Sequence, residues 1–256
     1  MDVRQVLARV AAEQQHKNLG QAPFPTMKIS VIIPTLNESE TISDLIQFIK
    51  TNGDSTVAEI IVVDADSKDN TAQAALKMGA RVLHSSVASR ASQMNQGSRA
   101  ATGDILYFIH ADVRLVNSFA DDIMQAIHEG FEAGCYRYAF NSSSKLLSMT
   151  SFFTRFNALM CRGGDQTLFI SKKLFTALKG FDEYYTIMED YDIIRRIRKQ
   201  APFKVIPKRI LVSARKYETN SWLRVQSANF TAFMMFYLRQ KPSQIRSAYK
   251  RMLKYR

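Results

Sequence analysis

Between Lys28 and Asp112, short β-branched runs alternate with helical patterns, and this rhythm leaves few folds open. "KISVIIP" precedes "NESETISDLIQFIKTNG", and "EIIVV" (59–63) precedes the polar turn "DADSKDN" and "TAQAALKMG". "RVLH" (81–84) precedes "SRASQMNQGSRAATG", and a fourth run, "ILYFIHAD", ends on a histidine and an aspartate. Short apolar runs bounded by turn residues read as buried strands. Ile42, Leu45, Ile46 and Ile49 recur at helical spacing, with Asn37 or Ser39 as the cap and Gly53 as the stop. Strands alternating with helices require right-handed crossovers and hence a parallel sheet. The fold class is therefore α/β, a Rossmann-like half with a mostly parallel sheet.

After Asp112 the rhythm loosens. "GCYRYAF" (134–140) is expected as a strand at the sheet edge, "LLSMTSFFTRFNALM" as a helix, "TLFIS" as a short strand and "KKLFTALKG" as a short helix. "EDYDIIRRIRKQ" reads as a helix and "FKVIPKRILVSA" as extended; residues 220–256 read as two helices broken at Pro242. The expected organisation is an N-terminal extension and linker (1–26), one composite domain (27–218) with halves at 27–115 and 116–218, and C-terminal helices (219–256).

Hydrophobic residues make up 46% of the 256, enough for a substantial core, and the net charge of +12 points to an anionic partner. Eight Lys and Arg residues and no acidic ones follow Glu218. They lie beside Trp222, Phe230, Phe233, Phe236 and Tyr237, as in an amphipathic segment on anionic headgroups. The same aromatics equally suit a homodimer interface or a cover over a cleft. Nucleic acid is not expected: there is no recognition motif, and the basic residues gather at one end. Cys135 and Cys161 show no metal spacing and read as core residues in a reducing cytosol. The N-terminus lacks the apolar stretch of a secretory signal. The longest apolar run, "FTAFMMFYL", is about half of a membrane span. A cytoplasmic location is expected, with peripheral contact at the inner face of the membrane.

In an open α/β sheet, ligands bind beyond the carboxyl ends of the strands. The first strand ends in Pro34, Thr35, Asn37 and Glu38, the second in Asp64 and Asp66, the fourth in His110 and Asp112. A single aspartate there is commonly a turn residue; three strands delivering such groups to one rim are harder to attribute to turns. Neither a G-x-G-x-x-G nor a P-loop sequence is present. Carboxylates and an imidazole suit a divalent cation that holds a diphosphate.

These residues resemble glycosyltransferase family 2. "ISVIIPTLNES" is similar to that family's opening, and "EIIVVDADSKDNT" to its second signature. "ASQMNQGSRAATGDILYFIHAD" resembles the helix and strand that carry its D-x-D motif. "GGDQTLFISKKLFTALKGFDEYYTIMEDYDIIRRIRK" resembles its acceptor-side signature. The likeness spans roughly residues 28–215. It implies a GT-A fold with a nucleotide-sugar half and an acceptor half, inverting sugar transfer, a nucleotide-diphosphate sugar as donor and a hydroxyl acceptor. A non-catalytic nucleotide-sugar or glycan-binding module on the same fold is the alternative.

The resemblance also implies roles. Asp64 would accept a hydrogen bond from the nucleobase, UDP-sugars being favoured because a carboxylate selects an N–H edge. Pro34, Thr35, Asn37 and Glu38 would line the donor pocket. Asp66 stands where the family usually has Gly. Arg90 is placed to neutralise the diphosphate, or is a solvated helix residue. His110-Ala111-Asp112 stands for D-x-D, so Asp112 would bind Mn²⁺ or Mg²⁺. His110 would be a second ligand, a partner of ribose or phosphate, or a core histidine. Asp190 would be the general base, with Glu189 as the alternative. Gly164 and Asp165 would border the acceptor, and Asp192 would pair with Arg195 and Arg196 on its own helix.

Overall fold

The computed structural model describes residues 27–163 and 166–254. The N-terminal extension, Gly164 and Asp165 lie outside the described residues. Seven strands form one sheet: β1 (Ile29–Thr35), β2 (Val57–Asp64), β3 (Arg81–His84), β4 (Ile105–Phe108), β5 (Ala133–Phe140), β6 (Leu168–Ser171) and β7 (Phe203–Val212). Their order is β3-β2-β1-β4-β6-β5-β7. β3, β2, β1 and β4 pair in parallel, as the alternation requires. β6 is antiparallel to both β4 and β5, and β7 is again parallel to β5. β6 alone therefore runs against the other strands.

The first-half helices are α1 (Ile42–Asn52), α2 (Thr71–Lys77) and α3 (Arg90–Ala100). Ile42, Leu45, Ile46 and Ile49 are the buried face of α1, as their spacing requires. Its cap is Thr41, not Asn37 or Ser39, and no side chain accepts a hydrogen bond there. Those two residues are engaged one turn earlier, on the β2 loop. Both sheet faces are covered: one apolar cluster joins α1 to Val31, Ile33 and Val62, another joins α3 to Ile32, Ile61 and Val63.

α3 sits unusually close to the sheet at Gly97. A Cβ there would lie 2.5 Å from Ile32 Cγ2 and 3.2 Å from Val63 Cγ2. Both neighbours are buried and cannot give way, so Gly97→Ala is expected to cost about 1–3 kcal/mol of stability. Urea denaturation of the two proteins measures it.

The second half contributes α4 (Phe119–His128), α5 (Lys145–Phe153), α6 (Lys172–Ala177), α7 (Glu189–Ile197), α8 (Arg215–Thr219), α9 (Trp222–Tyr237) and α10 (Pro242–Met252). Sequence reading passed over α4, although Phe119, Ala120, Ile123 and Ala126 form its buried stripe and acidic residues occupy its first turn. The expectation that β5 is an edge strand is corrected. β5 lies between β6 and β7, and the edge is β7. A strand buried on both sides differs from an edge strand in partners that arrive much later in the chain.

Candidate functional site

The carboxyl ends of β1, β2 and β4 share one rim, because the register sets Thr35 beside Asp64 and Ile32 beside Phe108. At β2 the chain leaves the sheet through a turn built on Asp64. The Asp64 carboxylate is buried, and it accepts hydrogen bonds from Thr35 Oγ1 (3.0 Å), Ser67 N (3.0 Å) and Ser67 Oγ (2.5 Å). Pro34 and Thr35 are buried as well. These three residues thus shape the loop at this end of the rim. The reason is local: a short carboxylate reaches its own loop's N–H more readily than solvent. Asp66 follows at φ 58°, the left-handed conformation that explains why Gly serves here in the family that the sequence resembles. Its exposed carboxylate lies 3.5 Å from His84 Nδ1.

Asn37, also left-handed, clamps the two loops together. Its N–H donates to Ser67 Oγ (2.8 Å), and its Oδ1 accepts from Lys68 N (2.7 Å). Glu38 N donates to Thr71 Oγ1 (2.8 Å) and Ser39 N to Asp69 Oδ2 (3.2 Å). Burial acts against ionisation of Asp69, but hydrogen bonds from Thr71 and Ser39 prevail and hold its carboxyl at about 2. The two loops are thereby fixed as one unit, and the side chain of Glu38 is left to face the rim.

β4 ends at Phe108, so His110, Ala111 and Asp112 occupy the turn beyond it, with His110 and Asp112 half-buried and Ala111 buried. Two backbone hydrogen bonds between Arg114 and Leu211 (2.8 and 2.9 Å) then tie this turn to the end of β7. That tie delivers a residue that sequence reading missed. Arg215 Nη2 donates to both oxygens of Glu38 (3.2 Å each) and to Asp112 Oδ2 (3.1 Å). Two carboxylates from different strands thus converge on a single cationic group. Burial and the nearby Asp112 charge push the Glu38 carboxyl up, and Arg215 offsets part of that. Among the described residues, no group of three or more His, Cys, Asp or Glu side chains is disposed to hold a metal ion. The protein donors on this rim are the Glu38–Asp112 pair.

The second cluster opens α7. Met188 is left-handed (φ 70°) and turns the chain into the helix, so Glu189, Asp190 and Asp192 occupy the first turn at the positive end of its dipole. Glu189 is buried; burial pushes its carboxyl up, and the charge of Arg90 at the start of α3 pulls it back. Asp190 is half-buried. Asp192 pairs with Arg195 (2.8 Å) and Arg196 (2.7 Å), as its spacing requires. The positive charge of Arg90 is therefore felt at the Glu189 carboxylate.

Asn95 joins the clusters and also went unnoticed in the sequence. Its amide donates to Phe181 O (2.9 Å) and Glu183 Oε1 (2.9 Å), and its Oδ1 accepts from Phe181 N (2.9 Å). Gly180, at φ 70°, permits this, since a Cβ there would lie 2.6 Å from Asn95 Oδ1. Gln93, two residues earlier, donates to Thr35 O (2.9 Å) and Val63 O (2.7 Å). α3, through side chains on two of its sides, thus sets the spacing between the strand-end rim and the segment leading to α7.

A mixed sheet with one reversed strand, helices on both faces and carboxylates beyond the parallel strand ends defines the GT-A class of α/β folds. A family model, glycosyl transferase family 2, matches residues 30–205, and the chain belongs to that family. A glucosyl-3-phosphoglycerate synthase of Mycobacterium tuberculosis is 40% identical over 93 residues, which are 33% of this chain and 29% of that protein. A 4,4'-diaponeurosporenoate glycosyltransferase of Staphylococcus haemolyticus is 34% identical over 119 residues, 44% of this chain and 30% of that protein. The matched region therefore spans under a third of these curated relatives. Mannosyl-3-phosphoglycerate synthase from Rubrobacter xylanophilus shares the fold at TM-score 0.60 and 18% identity, covering 88% of this chain and 76% of that one. The M. tuberculosis glucosyl-3-phosphoglycerate synthase, solved with Mn²⁺, UDP-glucose and phosphoglyceric acid, shares it at TM-score 0.51 and 21% identity, covering 76% of each chain.

Proposed function

We propose that this protein is an inverting glycosyltransferase that moves a sugar from a nucleotide-diphosphate sugar, with UDP-sugars favoured, to a hydroxyl acceptor. The observation that carries this reading is the convergence of Glu38 and Asp112 on one cation beyond the carboxyl ends of β1 and β4. The carboxylate pair opening α7 complements it.

The guanidinium of Arg215 is the test of fit for a metal. Two carboxylates that share one cation here offer the oxygen donors that suit Mg²⁺ or Mn²⁺. Asp112 and Glu38 would hold the ion, with His110 at the turn beside them. A divalent ion there supplies charge neutralisation for the departing nucleotide diphosphate. The chain's own residues do the rest. Arg215, once released from the carboxylates, is free to bind a phosphate oxygen. Pro34, Thr35, Asn37, Glu38, Asp64 and Asp66 border the donor. Asp190 takes the proton of the acceptor hydroxyl as its oxygen bonds to the anomeric carbon and the bond to the diphosphate breaks. Glu189, within the electrostatic reach of Arg90, is the alternative base.

The peripheral partner is read from charge. The acid-free segment after Glu218 supports contact with an anionic membrane surface. Among the described residues, no helix is long and apolar enough to cross a membrane.

The test is calorimetry with UDP and a panel of nucleotide sugars, with and without Mn²⁺, followed by donor turnover. Asp112→Ala is expected to abolish the Mn²⁺-dependent part of diphosphate binding. Unchanged, metal-independent affinity in that variant would remove Asp112 from the site. Tight donor binding without turnover on any acceptor or water would favour a binding module.

A further inference from the structure

Fifteen large hydrophobic side chains are exposed among the described residues, and they are not scattered. Six lie between Leu146 and Met160, and five between Leu223 and Leu238. Eleven of fifteen in two segments make a patch, which scattered surface residues do not.

α9 shows how the patch is built. Its inner face, with Val225, Ala228, Ala232 and Phe236, is buried. Its outer face is also apolar: Leu223, Phe230, Met234 and Tyr237 recur at helical spacing and are exposed, Phe230 by 61% and Tyr237 by 72%. A helix on a water-facing surface carries polar residues on that side. α5 repeats the pattern with Leu146, Met149 and Phe153. Trp222 Nε1 donates to Thr150 Oγ1 (3.0 Å), so the start of α9 lies against the middle of α5 and the two stripes meet there. Arg155 stacks 3.7 Å from the Phe152 ring at the patch edge.

The flanking charge selects the occupant. Arg246, Lys250 and Arg251 are exposed on α10, and no acidic residue follows Glu218. A two-fold dimer through this face would set two such acid-free segments against each other, and like charges across an interface are strongly disfavoured. An anionic bilayer satisfies both components at once. We infer that α5 and α9 form a single membrane-docking face. The rings of Phe153 and Phe230 enter the acyl boundary, and the basic residues of α10 meet the headgroups. A flank of α9 packs Phe233 and Phe236 on Tyr191 (centroids 5.6 and 6.1 Å), the residue after Asp190. The docking face and the Tyr191 contact are thus on different sides of one helix. This inference rests on the peripheral-membrane reading above and extends it from charge to apolar insertion.

Trp222, the only tryptophan, lies at the junction of the stripes and reports directly. The full chain is titrated with vesicles of equimolar phosphatidylcholine and phosphatidylglycerol, with and without brominated acyl chains, at low and high salt. Binding, quenching of Trp222 by the brominated chains and partial affinity at high salt are expected. The double variant Phe153→Asp with Phe230→Asp is expected to bind at least about tenfold more weakly, with UDP affinity and melting temperature unchanged. If salt abolishes binding and the double variant matches the parent, charge alone holds the protein and the docking face is overturned. No vesicle binding by the parent overturns the face and the peripheral reading together. Dimerisation in sedimentation velocity that the double variant loses, without vesicle binding, assigns the patch to a second copy and overturns the proposal. Donor turnover, measured separately without vesicles, tests the transferase reading alone.

Discussion

Asp190→Asn is expected to lower turnover by about 10²–10⁴-fold, the usual contribution of a positioned proton acceptor, with donor affinity nearly intact. The substitution preserves shape and removes the lone-pair basicity that inverting transfer requires. In the proposed reading donor binding is spared, because its charged contacts would lie at Glu38, Asp112 and Arg215, in segments outside α7. Asp190 is half-buried and therefore reachable, and it sits in the first turn of α7, at the positive end of the helix dipole. Loss of that dipole interaction alone would cost roughly 0.3–1 kcal/mol, visible in a melting curve and too small to explain a loss of this size. Glu189→Gln is the control. Burial raises the Glu189 carboxyl above its ordinary value of 4.5, with Arg90 pulling the other way. From 4.5 upward, the unfolded chain has lost a proton that the folded chain keeps, so this group lowers stability as pH rises through that window. The Gln variant is expected to lose that slope in urea midpoints measured against pH. Should Glu189→Gln be inactive and Asp190→Asn active, the base is Glu189.

Arg162→Met is expected to lower the unfolding free energy by about 3 kcal/mol. Arg162 is among the largest fully buried side chains, at 2% exposure. Its Nη2 donates to Thr154 O (2.6 Å) and Phe156 O (2.5 Å), and its Nη1 to Cys135 Sγ (3.0 Å). Burial pushes the Cys135 thiol up, with Arg162 countering, so the residue meets carbonyl dipoles and a thiol instead of a carboxylate. Methionine fills similar volume but leaves two carbonyls without a donor, at about 1–3 kcal/mol each. Removal of a desolvated cation returns part of that cost. Urea denaturation gives the number, and a change below about 0.5 kcal/mol would mean that water replaces the guanidinium.

The local rhythm of apolar residues was sufficient for the parallel strands, for the buried face of α1 and for the rim on which Glu38, His110 and Asp112 lie. The ion pairs of Asp192 were legible too, because partners three and four residues away share a helix face. Periodicity reports which face of an element is buried, and it is silent about which distant element covers that face. β5 therefore passed for an edge strand, since its neighbours β6 and β7 come later in the chain and one of them is reversed. The inward turn of Asp64 onto Thr35 and Ser67 depended on two loops closing together. Arg215 lies 103 residues from Asp112 and 177 from Glu38, beyond the reach of any local pattern. The pairing of β7 with β5, and of Leu211 with Arg114 at its end, carries it to the rim, so the Arg215 ion pairs are a product of chain closure.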